Sequence, residues 1–182
     1  MEIIKTNFEG LYIIEPKVFP DERGYFFESY NQKEIRKEIF DFKPIQDNES
    51  KSSKGVIRGL HYQLNPYAQS KLIRVVEGKI FDVAVDLRKE SATFKKWFGK
   101  VIDSETKTQL FIPKGFAHGF SVLSDYAIIQ YKVDNFYNKK SERGIRFDDQ
   151  QLNIDWKLEE ISPIFSEKDL SHPFLSNAEY NF

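Results

Sequence analysis

An all-β domain, a sandwich or a barrel, is the fold class this chain predicts, and three observations predict it. Short runs of β-forming residues recur at close spacing, with turn signals between them. Aromatic residues are abundant, 17 Phe, 9 Tyr and 2 Trp, in a chain with few long helical patterns. Hydrophobic residues make up 40% of the 182, enough to pack a core in one domain spanning 1–182 without disulfide staples.

The elements follow in order. Asn31 caps a helix, Glu34 stands three residues on, and Ile35, Ile39 and Phe40 supply its apolar face. Residues 71–76 form a strand that turns at Glu77-Gly78. Residues 79–87 are the clearest strand: Phe81, Val83, Val85 and Leu87 fall on one face and Asp82, Ala84 and Asp86 on the other. Residues 108–112 end at Pro113, and Lys114-Gly115 turns the chain. Residues 116–122 and 127–133 are two further strands, joined through Ser124-Asp125. The tail from about Ser162 carries Pro163 and Pro173 and is expected to wrap the surface, with one short helix near Glu167. An α+β domain is disfavoured, because the helical segments are too few to cover a sheet.

Composition removes several function classes. A net charge of −1 offers no basic excess for a nucleic-acid backbone. No apolar run approaches the roughly 20 residues of a membrane span. Met1-Glu2-Ile3-Ile4-Lys5 lacks the apolar core of a signal peptide, so a cytoplasmic protein is expected. Cysteine is absent, which excludes disulfides, thiolate catalysis and Cys-ligated metal.

The three histidines, His61, His118 and His172, are the first candidates for chemistry. Pro113-Lys114-Gly115-Phe116-Ala117-His118 matches the Pro-x-Gly-x-x-His form of cupin metal sites. The partner motif should carry two His one residue apart, and Gly59-Leu60-His61-Tyr62-Gln63 carries one. Two His without an assigned acid are a poor ligand set for zinc or iron, so no metal and no cofactor is expected. Proton transfer suits a His better. Arg58 and His61 face opposite sides of an ideal strand, unless a bulge at Gly59 restores a shared face; otherwise Arg58 is a surface charge and His61 a core histidine. Lys71 points to the same side as Ile73 and Val75. It is either snorkelling at a strand end or a cation aimed into a barrel, where it can steady an oxyanion. Tyr131 is a core phenol with one hydrogen bond or an acid, and Asp169 alone is a solvated charge.

These residues resemble the dTDP-4-dehydrorhamnose 3,5-epimerase family. The resemblance runs through Asp21-Glu22-Arg23-Gly24-Tyr25-Phe26-Phe27-Glu28, Gln46-Asp47-Asn48, the signature Val56-Ile57-Arg58-Gly59-Leu60-His61-Tyr62-Gln63 and residues 71–88. It continues through residues 113–120, Tyr131-Lys132, Glu142-Arg143-Gly144-Ile145, Ile154-Asp155-Trp156 and Ser166-Glu167-Lys168-Asp169. Phe147, Asp148-Asp149-Gln150 and Lys157 depart from the family pattern, away from the residues implied in the chemistry.

The resemblance implies a cupin-type double-stranded β-helix (jelly roll) with a few short peripheral helices, forming a homodimer with exchanged N-terminal strands. It implies a dTDP-sugar substrate, dTDP-4-dehydro-6-deoxy-D-glucose, converted to dTDP-4-dehydro-L-rhamnose without a cofactor. His61 is then the base, Asp169 its partner, Lys71 the cation at the enolate oxygen and Tyr131 the returning acid. Arg23 and Arg58 match diphosphate positions; Phe26, Glu28, Gln46, Asn48 and Tyr137 match nucleotide positions. His118 lies near the sugar, and Glu142, Arg143 and Lys168 complete the implied substrate contacts. Relatives that invert only C3 or only C5, a ketoisomerase, a non-catalytic sugar-nucleotide binder and a metal-dependent oxygenase are the alternatives.

Overall fold

The computed structural model describes residues 1–39 and 41–182. The N-terminal segment forms β1 (Glu2–Lys5) and β2 (Tyr12–Glu15), then a hairpin of β3 (Val18–Asp21) and β4 (Gly24–Phe27). One helical turn, α1 (Gln32–Ile35), precedes β5 (Gln46–Ser53), β6 (Ile57–Gln63), β7 (Lys71–Glu77), β8 (Lys79–Asp86) and β9 (Trp97–Asp103). There follow β10 (Gln109–Ile112), β11 (Phe116–Val122), β12 (Tyr126–Val133), β13 (Glu142–Gly144) and, in the tail, α2 (Glu167–Ser171). Among the described residues no helix is long and apolar enough to cross a membrane.

Two antiparallel sheets face each other, one ordered β1-β2-β10-β7-β12-β5 and the other β13-β6-β11-β8-β9, while β3 and β4, among the described residues, pair only with each other. Consecutive strands β7 and β8 lie in different sheets, as do β11 and β12, so the chain crosses repeatedly between layers and winds the jelly roll expected above. Between the sheets lie Ile73, Val75, Leu110, Ile129, Phe116 and Phe120. A second core covers the outer face of the five-stranded sheet, where Leu60, Val83 and Val85 meet Ile145, Trp156 and Leu175 of the tail. A third covers the outer face of the other sheet, where Leu72 and Phe111 meet Ile35, Ile39 and Phe42.

These layers extend one reading of the sequence and correct two. The two faces of β8 divide as its alternation predicts, both are buried, and the side bearing Asp82 and Ala84 points between the sheets. The tail does more than wrap the surface, since Leu175 is buried and Asp169 is only 4% exposed. The helix at Asn31 is a single turn: Asn31 Oδ1 accepts from the Lys33 and Glu34 amides, and Glu34 pairs with Lys37 instead of reaching back to the cap. Ile39 is buried beyond the helix end, and Phe40 lies outside the described residues.

The bulge at Gly59 is present. Arg58 stands opposite Phe120 and His61 opposite His118, so β6 spends three steps where β11 spends two. Directly opposed residues share a face, which puts Arg58 and His61 on the same side of β6 as Phe120 and His118, Arg58 remaining exposed. Gly59 makes this possible: its φ is +129°, and a Cβ there would stand 2.5 Å from Gly119 Cα. Gly59→Ala is therefore expected to destabilise the fold by roughly 3 kcal/mol through backbone strain and overlap. A urea midpoint matching that of the unmodified protein would show that the bulge does not depend on glycine.

Candidate active site

One open end of the barrel holds a cavity of about 230 Å³ lined by Gln46, Asn48, His61, Lys71, Tyr131 and Glu142, with Tyr62, Gln63, Gln69 and Tyr137 around them. Strand register explains the gathering. On the six-stranded sheet Lys71, Val133 and Gln46 form one row, and Ile73, Tyr131 and Asn48 the next. On the facing sheet His61 sits between His118 and Gly144. Period-two alternation keeps Lys71 and Tyr131 on one wall and His61 on the other, across the opening.

His61 Nε2 lies 2.5 Å from Asp169 Oδ1. The carboxylate arrives on α2, whose cap Ser166 accepts from the Asp169 amide. Burial alone would raise the Asp169 pKa, but the hydrogen bond and positive charge of His61 outweigh it and hold the carboxyl below its ordinary range. Asp169 is thus ionised at neutral pH, so Nε2–H donates to it, and in the neutral form of the ring Nδ1 keeps the free lone pair. An imidazole oriented in this way is able to accept a proton.

Lys71 faces the same cavity. Burial pulls its ammonium down to about 8, against the attraction of Asp82 and Glu142. Of the two readings left open by the sequence, the geometry matches a cation aimed into the barrel. Tyr131 is driven the other way: burial raises its pKa, opposed by Arg58, so the phenol keeps its proton. A second His–Asp pair lies deeper. His118 Nε2 is 3.0 Å from both oxygens of Asp82, and burial depresses the His118 pKa despite that carboxylate.

Other expected residues divide. Gln46 and Asn48 line the cavity and are bonded to each other, Gln46 Nε2 donating to Asn48 Oδ1 over 2.9 Å. Arg58 donates from Nε to Ser52 Oγ over 2.9 Å. Tyr137 donates to Glu142 Oε2 over 2.8 Å and Lys168 to Glu142 Oε1 over 2.5 Å, so Glu142 ties the cavity rim to α2. Arg143 is on the opposite face of β13, where its Nε donates to Glu179 over 2.8 Å. Arg23, Phe26 and Glu28 stand apart on and beside the β3–β4 hairpin; Arg23 pairs with Asp21, and Phe26 is 67% exposed.

Two residues gained meaning only from the structure. Gln63, noted in the sequence as the position lacking a second His, is buried and fully used. Its Nε2 donates to the Tyr67 and Phe136 carbonyls at 2.7 and 3.2 Å, and its Oε1 accepts from the Asn138 amide at 2.6 Å, clamping the two loops that carry the rim. Asp82 was visible as one of two acids on the same face of its strand, but the His118 it serves is 36 residues away.

A jelly roll whose mouth holds a carboxylate-oriented imidazole, a half-buried lysine and a neutral phenol defines a cupin-fold enzyme equipped to move protons at carbon. A sequence profile described as dTDP-4-dehydrorhamnose 3,5-epimerase matches residues 5–177. The chain is 53% identical to the dTDP-4-dehydrorhamnose 3,5-epimerase of Shigella flexneri, over 99% of each. It superposes with a TM-score of 0.92 on the crystal structure of the dTDP-4-dehydrorhamnose 3,5-epimerase of Elizabethkingia anophelis, at 51% identity over 97% of each chain. The TM-score is also 0.92 for a Legionella pneumophila dTDP-6-deoxy-D-glucose-3,5-epimerase in complex with dTDP-4-keto-L-rhamnose, at 46% identity over 97% of this chain and 93% of that one. The chain belongs to the dTDP-4-dehydrorhamnose 3,5-epimerase family, and is an isomerase as its sequence led one to expect.

Proposed function

We propose that this pocket converts dTDP-4-dehydro-6-deoxy-D-glucose to dTDP-4-dehydro-L-rhamnose by inverting C3 and C5 in turn. The observation that carries the reading is the placement of a base and an acid on opposite walls, with a cation beside them. Each reacting carbon neighbours the C4 ketone, so its proton is acidified. His61 Nδ1 takes that proton, the C–H electrons pass to the C4 oxygen, and the Lys71 ammonium stabilises the enolate charge. Tyr131 then gives its proton to the other face of the carbon, and solvent exchange resets both groups. Asp169 offsets the positive charge on His61 while the enolate lasts.

The nucleotide lies outside this small cavity. A volume of about 230 Å³ accommodates a sugar and little more. Arg58 at the mouth supplies a guanidinium fork for the diphosphate, and Tyr137 a ring at the rim. The exposed β3–β4 hairpin, with Arg23, Tyr25 and Phe26, supports a homodimer with exchanged N-terminal strands, in which these residues reach the partner's nucleotide.

The test is incubation with the keto sugar in D2O, followed by NMR. Deuterium at both C3 and C5, with the L-lyxo product trapped by a reductase, is expected; deuterium at one carbon makes the protein a single-site epimerase, and none at either removes the assignment. Tyr131→Phe is expected to slow inversion by about 10²-fold or more while exchange at the reacting carbon falls far less, since only the returning acid is lost. Equal losses in both would deny Tyr131 that role.

A further inference from the structure

His172, the third histidine, has no part in the chemistry above, yet it stands against the catalytic pair. It follows α2 directly, and its ring meets His61 edge-on, with centroids 5.5 Å apart. Gly144 makes room for it: a Cβ on that residue would stand 2.4 Å from the His172 ring. The side chain is 12% exposed, and its Nε2 is buried without a hydrogen-bond partner among the described residues. That nitrogen points to Asp169 Oδ1, 3.8 Å away, too far for a hydrogen bond. A buried nitrogen left unpaired is unfavourable unless something fills the gap.

The ligand atoms of His61, Asp169 and His172 all lie within 4.8 Å of one another. We propose that these three side chains form a binding site for a borderline divalent transition-metal ion such as Zn2+, and that the ion inhibits the enzyme by capturing its base. Two imidazoles and a carboxylate suit Zn2+, whereas Mg2+ and Ca2+ select oxygen ligands. With Zn–N and Zn–O bonds of about 2.0–2.2 Å, tetrahedral ligand atoms stand roughly 3.4 Å apart. His61 and Asp169 must open from 2.5 Å, and His172 must close from 3.8 Å, both shifts within the reach of side-chain rotation. The metal takes the Nε2 lone pair, so the bound neutral imidazole carries its one proton on Nδ1, the atom that must accept the substrate's proton, and the Asp169 carboxylate turns from the ring to the metal. The site differs from the cupin metal set, because His118 is committed to Asp82 and Gln63 to the loops.

The inhibitory consequence rests on His61 being the base; the binding does not. Chelator-treated protein is therefore titrated with Zn2+ by calorimetry and with Co2+ by visible absorption, alongside turnover. One ion per chain is expected, with tetrahedral Co2+ bands, loss of turnover by tenfold or more, reversal by chelator and no effect of Mg2+. His172→Ala, and His172→Phe, which keeps a ring against Gly144, should each weaken Zn2+ binding by at least tenfold. Absence of binding, or equal affinity in the folded His172 variants, overturns the site. Binding with undiminished turnover overturns the inhibition. Binding by a protein inactive on the keto sugar leaves the site standing and removes the epimerase reading instead.

Discussion

His61→Ala is expected to reduce epimerisation by about 10³–10⁴-fold and to abolish deuterium exchange at both C3 and C5 with the fold intact. The magnitude follows from the role. General acid–base catalysis contributes roughly 10²–10⁴-fold, and the second histidine on this wall cannot substitute. His118 is buried, bonded through Nε2 to both oxygens of Asp82, and is not among the residues that line the cavity. The fold should survive, because His61 is partly exposed at the cavity wall and its loss leaves no closed void. Loss of exchange is the sharper readout, since proton removal precedes every later step. Deuterium incorporation within tenfold of the unmodified enzyme would remove His61 as the base, and the circular dichroism and melting curve would show whether any loss comes from unfolding.

How much of this site was legible in the chain depends on the distance over which each partnership acts. Lys71 was readable because strand alternation is local: a lysine in phase with Ile73 and Val75 had to share their side. The bulge at Gly59 was readable as a possibility because only a glycine accepts that geometry, although the β11 register that uses it could not be seen. Asp169 was not readable from its own surroundings. A charged residue in Ser166-Glu167-Lys168-Asp169 has the pattern of a solvated helix end, and its burial depends on a tail that folds back across the outer face of β6 and β11. The family resemblance paired it with His61 where local physics could not. His172 escaped for a related reason, since its seat is the missing side chain of Gly144, an absence that becomes a site only once the strands are aligned. The helix at Asn31 was overextended because a capping pattern sets where a helix starts and says little about where it stops.

Lys71→Met should lower turnover by about 10²–10³-fold, the effect of removing one donor to a developing oxyanion, with a much smaller change in affinity for dTDP. The titration of this lysine gives a second and more discriminating signature. The ammonium is charged in the folded protein below about 8 and in the unfolded chain below 10.5. Catalysis needs the charged form, so turnover should fall as pH rises through about 8. Stability should move the opposite way. Between about 8 and 10.5 the unfolded chain holds a proton that the folded protein has released, so the contribution of Lys71 to stability rises with pH across that window. Below about 8 both states are protonated and that contribution is constant. An enzyme that becomes less active while this contribution makes it more stable, over the same pH interval, is difficult to explain by general alkaline denaturation. Lys71→Arg keeps a cation that does not titrate in this range, so its turnover, though lower through misfit, should lose the alkaline fall. Persistence of that fall in the arginine variant would assign it to another group, and a mainly binding defect in Lys71→Met would make Lys71 a phosphate contact and not the partner of the enolate.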